Sequence, residues 1–209
     1  MDPKAMYKIT YGLYLLTAQK DGRDNGCIIN TVMQVAENPV RVAISVQKKT
    51  LTHDMIQSSG GFTVSALSTE ANFQLFHRFG MQTGRTTDKF ADFPYVTPAE
   101  NGLLRLTKFS NMYLTAKVLE QVNLGTHSLF IAAVEEARSL SDSDPCTYSY
   151  YQAHIKPRPD TTPKGKKWVC DVCGWVYNEA DTGIPWEALP DNFVCPLCKH
   201  GKGDFSPIA

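Results

Sequence analysis

Four cysteines near the end of the chain carry the clearest chemical signal. Cys170 and Cys173 stand in "WVCDVCGWVY", and Cys195 and Cys198 in "VCPLCKHGKGDF". Two, twenty-one and two residues separate them in turn. Two residues between thiolates let one tight turn aim both sulfurs at a single ion. Two such turns facing each other make a tetrahedral four-sulfur cage. The cage suits zinc as a structural ion or iron as a one-electron couple, and spacing alone does not choose between them. Gly174, after the second cysteine, permits a sharp turn in which backbone amides point at a sulfur. Such hydrogen bonds favour the more negative, reduced state of a redox ion. Trp168, Trp175, Tyr177, Trp186, Phe193 and Phe205 surround the cysteines, a dense aromatic core for a unit with little else to bury.

Over residues 168–205 the pattern "KKWVCDVCGWVYN…LPDNFVCPLCKHGKGDF", with its Cys-Pro-Leu-Cys second pair, resembles rubredoxin. The resemblance implies one iron held by Cys170, Cys173, Cys195 and Cys198, without bridging sulfide, shuttling between ferric and ferrous. The stretch "NEADTGIPWEALPDNF" is shorter than the commonest rubredoxin loop, which leaves the cage intact but alters the surface beside it. A zinc ribbon that binds a partner is the alternative reading of the same cysteines.

Three earlier segments also carry polar groups at suggestive spacings. "NGCIINTVMQV" sets Asn25, Asn30, Thr31 and Gln34 along one segment together with Cys27. "SVQKKTLTHDM" ends a strand and opens a helix, grouping Ser45, Lys48, Thr50, Thr52 and His53 around a helix N-terminus. Free amides and the helix dipole favour an anion such as phosphate there. "RFGMQTGRTTDKF" is a glycine-punctuated loop carrying Arg78, Arg85 and Lys89. With "GTHSLFIAAV" and "TYSYY", these segments resemble the FMN-binding split-barrel family, in particular its flavin-reductase-like and flavoredoxin members, from about residue 11 to 151.

That resemblance implies FMN held non-covalently, its phosphate near Ser45, Lys48, Thr50, Thr52 and the adjoining His53. It puts the ring near residues 25–31, Lys89 and His127. Lys89 and His127 are the residues expected to act on the chemistry: a cation near the N1/O2 edge stabilises reduced flavin, and a histidine beside the ring donates a hydrogen bond or passes a proton. Members are typically homodimers with the flavin close to the interface. Gln152 stands where relatives often carry histidine after a "TYAYY"-like strand. Cys27 and Cys146 have no partner spacing and read as free thiols behaving as small apolar residues.

The elements that must position these groups are mostly strands. "YGLYLLTAQ", "CIINTVMQV", "RVAISVQ" and "FTVSAL" are rich in β-branched and aromatic residues, separated by turn signals such as "KDGRDNG" and "ENP". "NMYLTAKVLEQVNL" and "HSLFIAAVEEARSL" are each long enough for a barrel strand. Helices are expected over residues 52–59 and 69–79, capped by Thr52 and Thr69 and stopped at Gly60 and Gly80. The fold class is therefore mainly β: a split β-barrel with a few helices, plus a small four-cysteine metal domain.

The expected organisation is a barrel over residues 1–155, a linker over 156–167 and a cysteine domain over 168–209. The linker "KPRPDTTPKGKK" holds three prolines, one glycine and five basic residues. The last part carries six acidic residues against two lysines, while residues 1–155 balance at fourteen each, so the zero net charge hides an acidic module on a basic string. A charge balance of this kind speaks against nucleic acid as a partner. The longest early apolar stretch, "YGLYLLTA", is too short to span a bilayer and lacks the features of a signal peptide, so a cytoplasmic, reducing location is expected.

Nicotinamide delivers electrons as hydride and a single iron accepts one, so a flavin between them converts one mode to the other. The combination resembles the high-molecular-weight rubredoxins of anaerobes. It implies that NAD(P)H reduces FMN, which feeds the iron and then an acceptor such as a flavo-diiron or rubrerythrin-like protein dealing with oxidative stress. An electron carrier whose flavin is reduced by another protein, with no NAD(P)H activity of its own, is the alternative.

Overall fold

The structure, a computed structural model, describes residues 5–157 and 165–208. The chain forms two compact units, Met1–Lys156 and Pro157–Ala209. Of the expected linker, residues 158–164 lie outside the described residues, and Lys167 already belongs to a strand of the second unit.

The first unit opens with β1 (Tyr14–Lys20) and β2 (Arg23–Ile29), joined by a two-residue turn in which Asp21 and Gly22 both take positive φ. Asp-Gly is suited to such a turn, whose twist matches that of the flanking strands. The turn signal "KDGRDNG" is thus mostly strand. The expected single strand "CIINTVMQV" is two: β2 ends at Ile29, and β3 (Val32–Glu37) begins after Asn30 and Thr31. Then follow β4 (Val40–Gln47), α1 (Leu51–Ser59), β5 (Gly61–Leu67) and α2 (Phe73–Phe76). A short hairpin comes next, β6 (Val96–Pro98) with β7 (Leu104–Leu106), which has no sequence expectation behind it. The long strands β8 (Ser110–Asn123) and β9 (His127–Ser139) complete the sheet, and α3 (Tyr148–Tyr150) closes the unit.

Seven strands form one antiparallel sheet in the order β2-β1-β5-β8-β9-β4-β3. Its two end strands, β2 and β3, are consecutive in the chain. Cys27 and Ile29 of β2 share a core with Val42, Ile44 and Val46 of β4 and with the fully buried Phe62 and Phe130. The sheet therefore curls until its ends enclose one interior, while no ladder joins β2 to β3. This is a barrel split along one seam.

Both helix expectations need correction at their starts. Thr50, not Thr52, caps α1: its extended backbone and its Oγ1, which accepts from the His53 amide at 3.2 Å, are those of an N-cap. Thr52 lies inside the helix and is buried with His53, Met55 and Ile56 against the barrel. Gly60 ends the helix in the left-handed conformation, its amide donating to Ile56 O. The second expected helix starts at its Asn72 cap rather than at Thr69, and continues as a π-helical turn, His77–Met81, straight through Gly80. "TYSYY" is also helical, not strand, with Thr147 as cap and a second π-helical turn, Tyr151–Ile155.

The second unit is a three-stranded antiparallel sheet of β10 (Lys167–Cys170), β11 (Val176–Asn178) and β12 (Phe205–Ile208), in the order β11-β10-β12. Its core is the expected aromatic cluster, in which Trp168 stacks on Trp186 at 4.8 Å and Tyr177, Phe193 and Phe205 meet Trp186 edge-on or tilted. Glu179, almost fully buried, accepts from the Lys166 and Trp186 amides and so ties the start of the unit to its loop. Among the described residues no helix is long and apolar enough to cross a membrane.

Candidate functional site: a barrel cavity and a four-sulfur cage

A cavity of about 740 Å³ opens at the barrel seam. It lies within the roughly 300–1,000 Å³ span of small-molecule and cofactor sites. Four stretches wall it: residues 25–31 along β2 and its following loop, 45–52 from β4 into α1, 79–84 with Lys89, and Leu124 with His127 at the β8–β9 turn. Nine of the eleven residues expected around a flavin line it: Asn25, Cys27, Asn30, Thr31, Ser45, Thr50, Thr52, Lys89 and His127.

Lys48 and His53 are the exceptions. Lys48 donates to Asn123 Oδ1, and the neighbouring Lys49 lines the wall instead. His53 points into the barrel, its Nε2 paired with Ser128 Oγ at 2.9 Å and its ring against Phe130. A side chain at the third helical position faces the core when its neighbours at positions 52, 55 and 56 do, which the helical period of α1 imposes.

The polar side of the cavity is built at the N-terminus of α1. The first amides of a helix lack intrahelical partners and sit at the positive end of its dipole. Leu51 and Thr52, the first two helical residues, line the cavity beside Ser45 and Thr50. Asn25, buried, donates to Thr52 Oγ1 at 2.8 Å and so fixes the seam against the helix. Ile28, Ile29, Leu51, Phe79 and Leu124 supply apolar surface to the rest of the wall, among polar groups such as Asn30, Gln47 and Gln82.

Lys89 is buried, and its Nζ donates to Gly26 O at 3.0 Å and Phe79 O at 3.1 Å. Burial pulls its pKa below the usual lysine range, against the opposing pull of Cys27. Burial likewise raises the Cys27 thiol, although Thr52 and Lys89 work the other way. His127 is half-buried, with Nδ1 paired to Thr126 Oγ1.

Sequence reasoning missed the backbone of residues 80–84 as a wall. The signal was Gly84: a Cβ there would lie 2.1 Å from Asn25 Oδ1, so only glycine lets the loop approach. Arg23 donates to Gly84 O, and Arg85 donates to Lys49 O and to Asp54, which fastens this loop to α1. Of the basic residues in that loop, Arg85 is thus a fastener and Arg78 faces a different groove.

The four expected sulfurs of the second unit converge within 4.8 Å of one another. Cys170–Cys198 and Cys173–Cys195 each stand 3.5 Å apart, too far for disulfides. Sulfurs about 2.3 Å from one ion at tetrahedral corners lie about 3.8 Å apart, so the set fits a four-coordinate metal. Cys170 and Cys195 are buried, Cys173 is exposed and Cys198 half-exposed.

The two knuckles share one hydrogen-bond plan. Gly174 and Lys199, both at positive φ, donate to Cys170 O and Cys195 O, and these cysteines' amides donate to Trp175 O and His200 O. Amides also reach the sulfurs: Trp175 to Cys173, His200 to Cys198, and Cys198 and Leu197 to Cys195. Burial opposes ionisation of Cys195, yet those amides and the adjoining thiols carry its pKa down, while neighbouring thiols push Cys173 and Cys198 up, so the sulfurs titrate together and not singly.

Comparison with known proteins agrees with this geometry. Residues 6–157 match the Flavin reductase like domain, and residues 167–205 match Rubredoxin. The chain is 38% identical to the high molecular weight rubredoxin of Moorella thermoacetica, with 100% of each covered. It is 35% identical to the NAD(P)H ferric-chelate reductase of Archaeoglobus fulgidus over 78% of this chain and 95% of that one. Among solved structures, flavin reductase PheA2 superposes with a TM-score of 0.61 at 26% identity, covering 76% of this chain and 100% of the other. The seam cavity, the sulfur cage and these likenesses together establish that the chain belongs to the flavin reductase like family and carries a rubredoxin domain at its C-terminal end, an oxidoreductase of flavin- and iron-based electron transport.

Proposed function

We propose that this protein takes electrons from NAD(P)H through FMN to a mononuclear iron held by Cys170, Cys173, Cys195 and Cys198, and delivers them singly to an acceptor protein. The observation that carries the proposal is the presence, on one chain, of a four-sulfur cage and of a seam cavity with an anion-favouring helix terminus. A flavin bound there would supply the exchange between hydride pairs and single electrons, and an iron in the cage would supply a one-electron couple.

The residues divide the work by position. Ser45, Thr50, Thr52 and the first turn of α1 hold the phosphate, and Asn30, Thr31 and Cys27 lie along the ring. Lys89, fixed by two carbonyls, presents its positive charge to the cavity and favours an anionic occupant. His127 sits at the mouth, where its half-exposed ring can pass a proton to or from solvent. In the cage, amides aimed at Cys173, Cys195 and Cys198 favour the more negative, reduced state. Exposed Val172, Leu197 and Val194 near the exposed Cys173 offer an apolar docking surface around the metal.

A homodimer completes the reading. Met33 and Val35 on β3, and Leu119, Val122 and Leu124 on the outer half of the β8–β9 hairpin, are large apolar side chains left exposed, and Leu124 is also a cavity wall. A second copy covering them would shield the cavity mouth from water. An acceptor of the flavo-diiron or rubrerythrin-like kind, in the cytoplasm of an anaerobe, suits such a chain.

The test is an anaerobic visible spectrum of protein loaded with iron and flavin, before and after NADH or NADPH. Flavin bands and ferric–thiolate absorption that both bleach bear the reading out. Bleaching only by dithionite makes the protein a carrier reduced by another protein, and stoichiometric zinc with no thiolate colour removes the iron step.

A further inference from the structure

A chain of hydrogen bonds runs behind the seam cavity, through residues outside its lining. Gln121 Nε2 on β8 donates to Ser128 Oγ on β9 at 3.0 Å. Ser128 Oγ lies 2.9 Å from His53 Nε2, and His53 Nδ1 lies 3.3 Å from Asp54 Oδ1. Arg85 closes the chain from the other side, its guanidinium donating to Asp54 Oδ2 at 2.8 Å.

These bonds share one direction. A carboxylate only accepts, so the His53 ring places its proton on Nδ1, toward Asp54. Nε2 is then an acceptor, and Ser128, which already receives the Gln121 amide, supplies its hydroxyl proton. Donation therefore runs from Gln121 through Ser128 and His53 to Asp54, where it meets Arg85. Within such a chain each bond polarises the next. Ser128 is fully buried and His53 nearly so, and neither has water at hand to replace a lost partner.

Three members of the chain back a cavity wall. Ser128 follows His127 and, by strand alternation, turns into the barrel while His127 faces the cavity. Arg85 follows Gly84 of the loop wall. His53 is the third residue of α1, and its own amide donates to the Thr50 cap at 3.2 Å. The cap thus takes up the third amide, and those of the cavity-lining Leu51 and Thr52 remain for an anion. We infer that His53 is a positioning residue of the flavin site: joined to Ser128 and Asp54, it fixes the first turn of α1 against the strand of His127 and the loop of Gly84. The inference rests on the reading of that turn as the phosphate site.

The test is a double-mutant cycle of Ser128→Ala and Asp54→Ala in the full chain, loaded with FMN or with riboflavin, which lacks the phosphate. Dilution releases flavin, whose fluorescence gives each dissociation constant. Ser128→Ala is expected to weaken FMN about tenfold and riboflavin by less than about twofold. In the Asp54→Ala background the same substitution should weaken FMN by about threefold or less, since the ring has already lost one anchor. Asp54 also acts on a phosphate through its charge, which the cycle cancels. Equal weakening of FMN and riboflavin makes the role of Ser128 structural only and overturns the inference, as does an FMN loss that is the same in both backgrounds. If the unaltered protein holds FMN no more tightly than riboflavin, or holds neither, the phosphate reading fails by itself. Hydrogen exchange of the His53 amide then decides the anchor: exchange accelerated about tenfold by Ser128→Ala supports it, and unchanged exchange overturns it.

Discussion

The sulfur cage and the seam cavity assemble their groups over very different ranges. Each cage knuckle is a five-residue turn that satisfies its own backbone, and its four ligands come from two such turns within twenty-nine residues. The cavity gathers walls from residues as far apart as Asn25 and His127, and each wall depends on the barrel to arrive. Damage to the cage is therefore local and severe, because one ion organises a unit with a small core. Damage to the cavity is graded, because it is spread through a large sheet.

The largest effect that would sharpen this contrast is expected from Cys195→Ala. Metal binding in small cysteine domains is worth roughly 10–16 kcal/mol of folding free energy. The variant should lose its metal and the protease resistance of residues 165–208 while the barrel keeps its flavin; metal analysis with limited proteolysis would show it. A variant that also lost its flavin would break the contrast. Next comes Phe130→Ala in the barrel core, which should cost about 3–5 kcal/mol by chemical denaturation and leave the cage colour intact.

Smaller effects separate the cavity walls. Gly84→Ala drives a methyl into Asn25 and disturbs its bond to Thr52, for about 1–3 kcal/mol and a loss of flavin through desalting. Thr50→Ala removes the α1 cap, at about 1 kcal/mol, and should weaken FMN more than riboflavin, which has no phosphate. Lys199→Gly should stabilise the second knuckle by about 1 kcal/mol, since its left-handed residue would match Gly174 of the first.

The last effect concerns pH and is confined to alkaline solution. Burial lifts the Cys146 thiol from 9.0 to about 11. A raised acid keeps its proton longer in the folded state, so its contribution is complete below pH 9 and is lost as pH rises through about 11. Melting temperatures followed from pH 8 to 11 should fall less steeply for Cys146→Ala than for the unaltered chain.

Legibility in the sequence followed the same division. The cage ligands could be read because their spacing is short and each pair is confined to one turn. The strands β4, β5, β8 and β9 could be read from their β-branched runs, and most residues expected at the cavity do line it. Helix starts could not: Thr50 and Thr52 offer the same hydroxyl, and only the backbone conformation at Thr50 makes one of them a cap. The hairpin of β6 and β7 was invisible because three-residue strands carry no periodicity.

The sequence alone determined which residues have the chemistry, since thiolate spacing and residue type are properties of the chain before it folds. Tertiary structure alone decided which of them share a space. Helical phase turned His53 inward to Ser128, and Lys48 was drawn to Asn123. The closing of the barrel seam, which brings β2 beside α1 and the loop at Gly84, made a cavity from segments distant in the chain. Such partners are chosen by the packing of the whole sheet, and no local stretch of sequence contains that information.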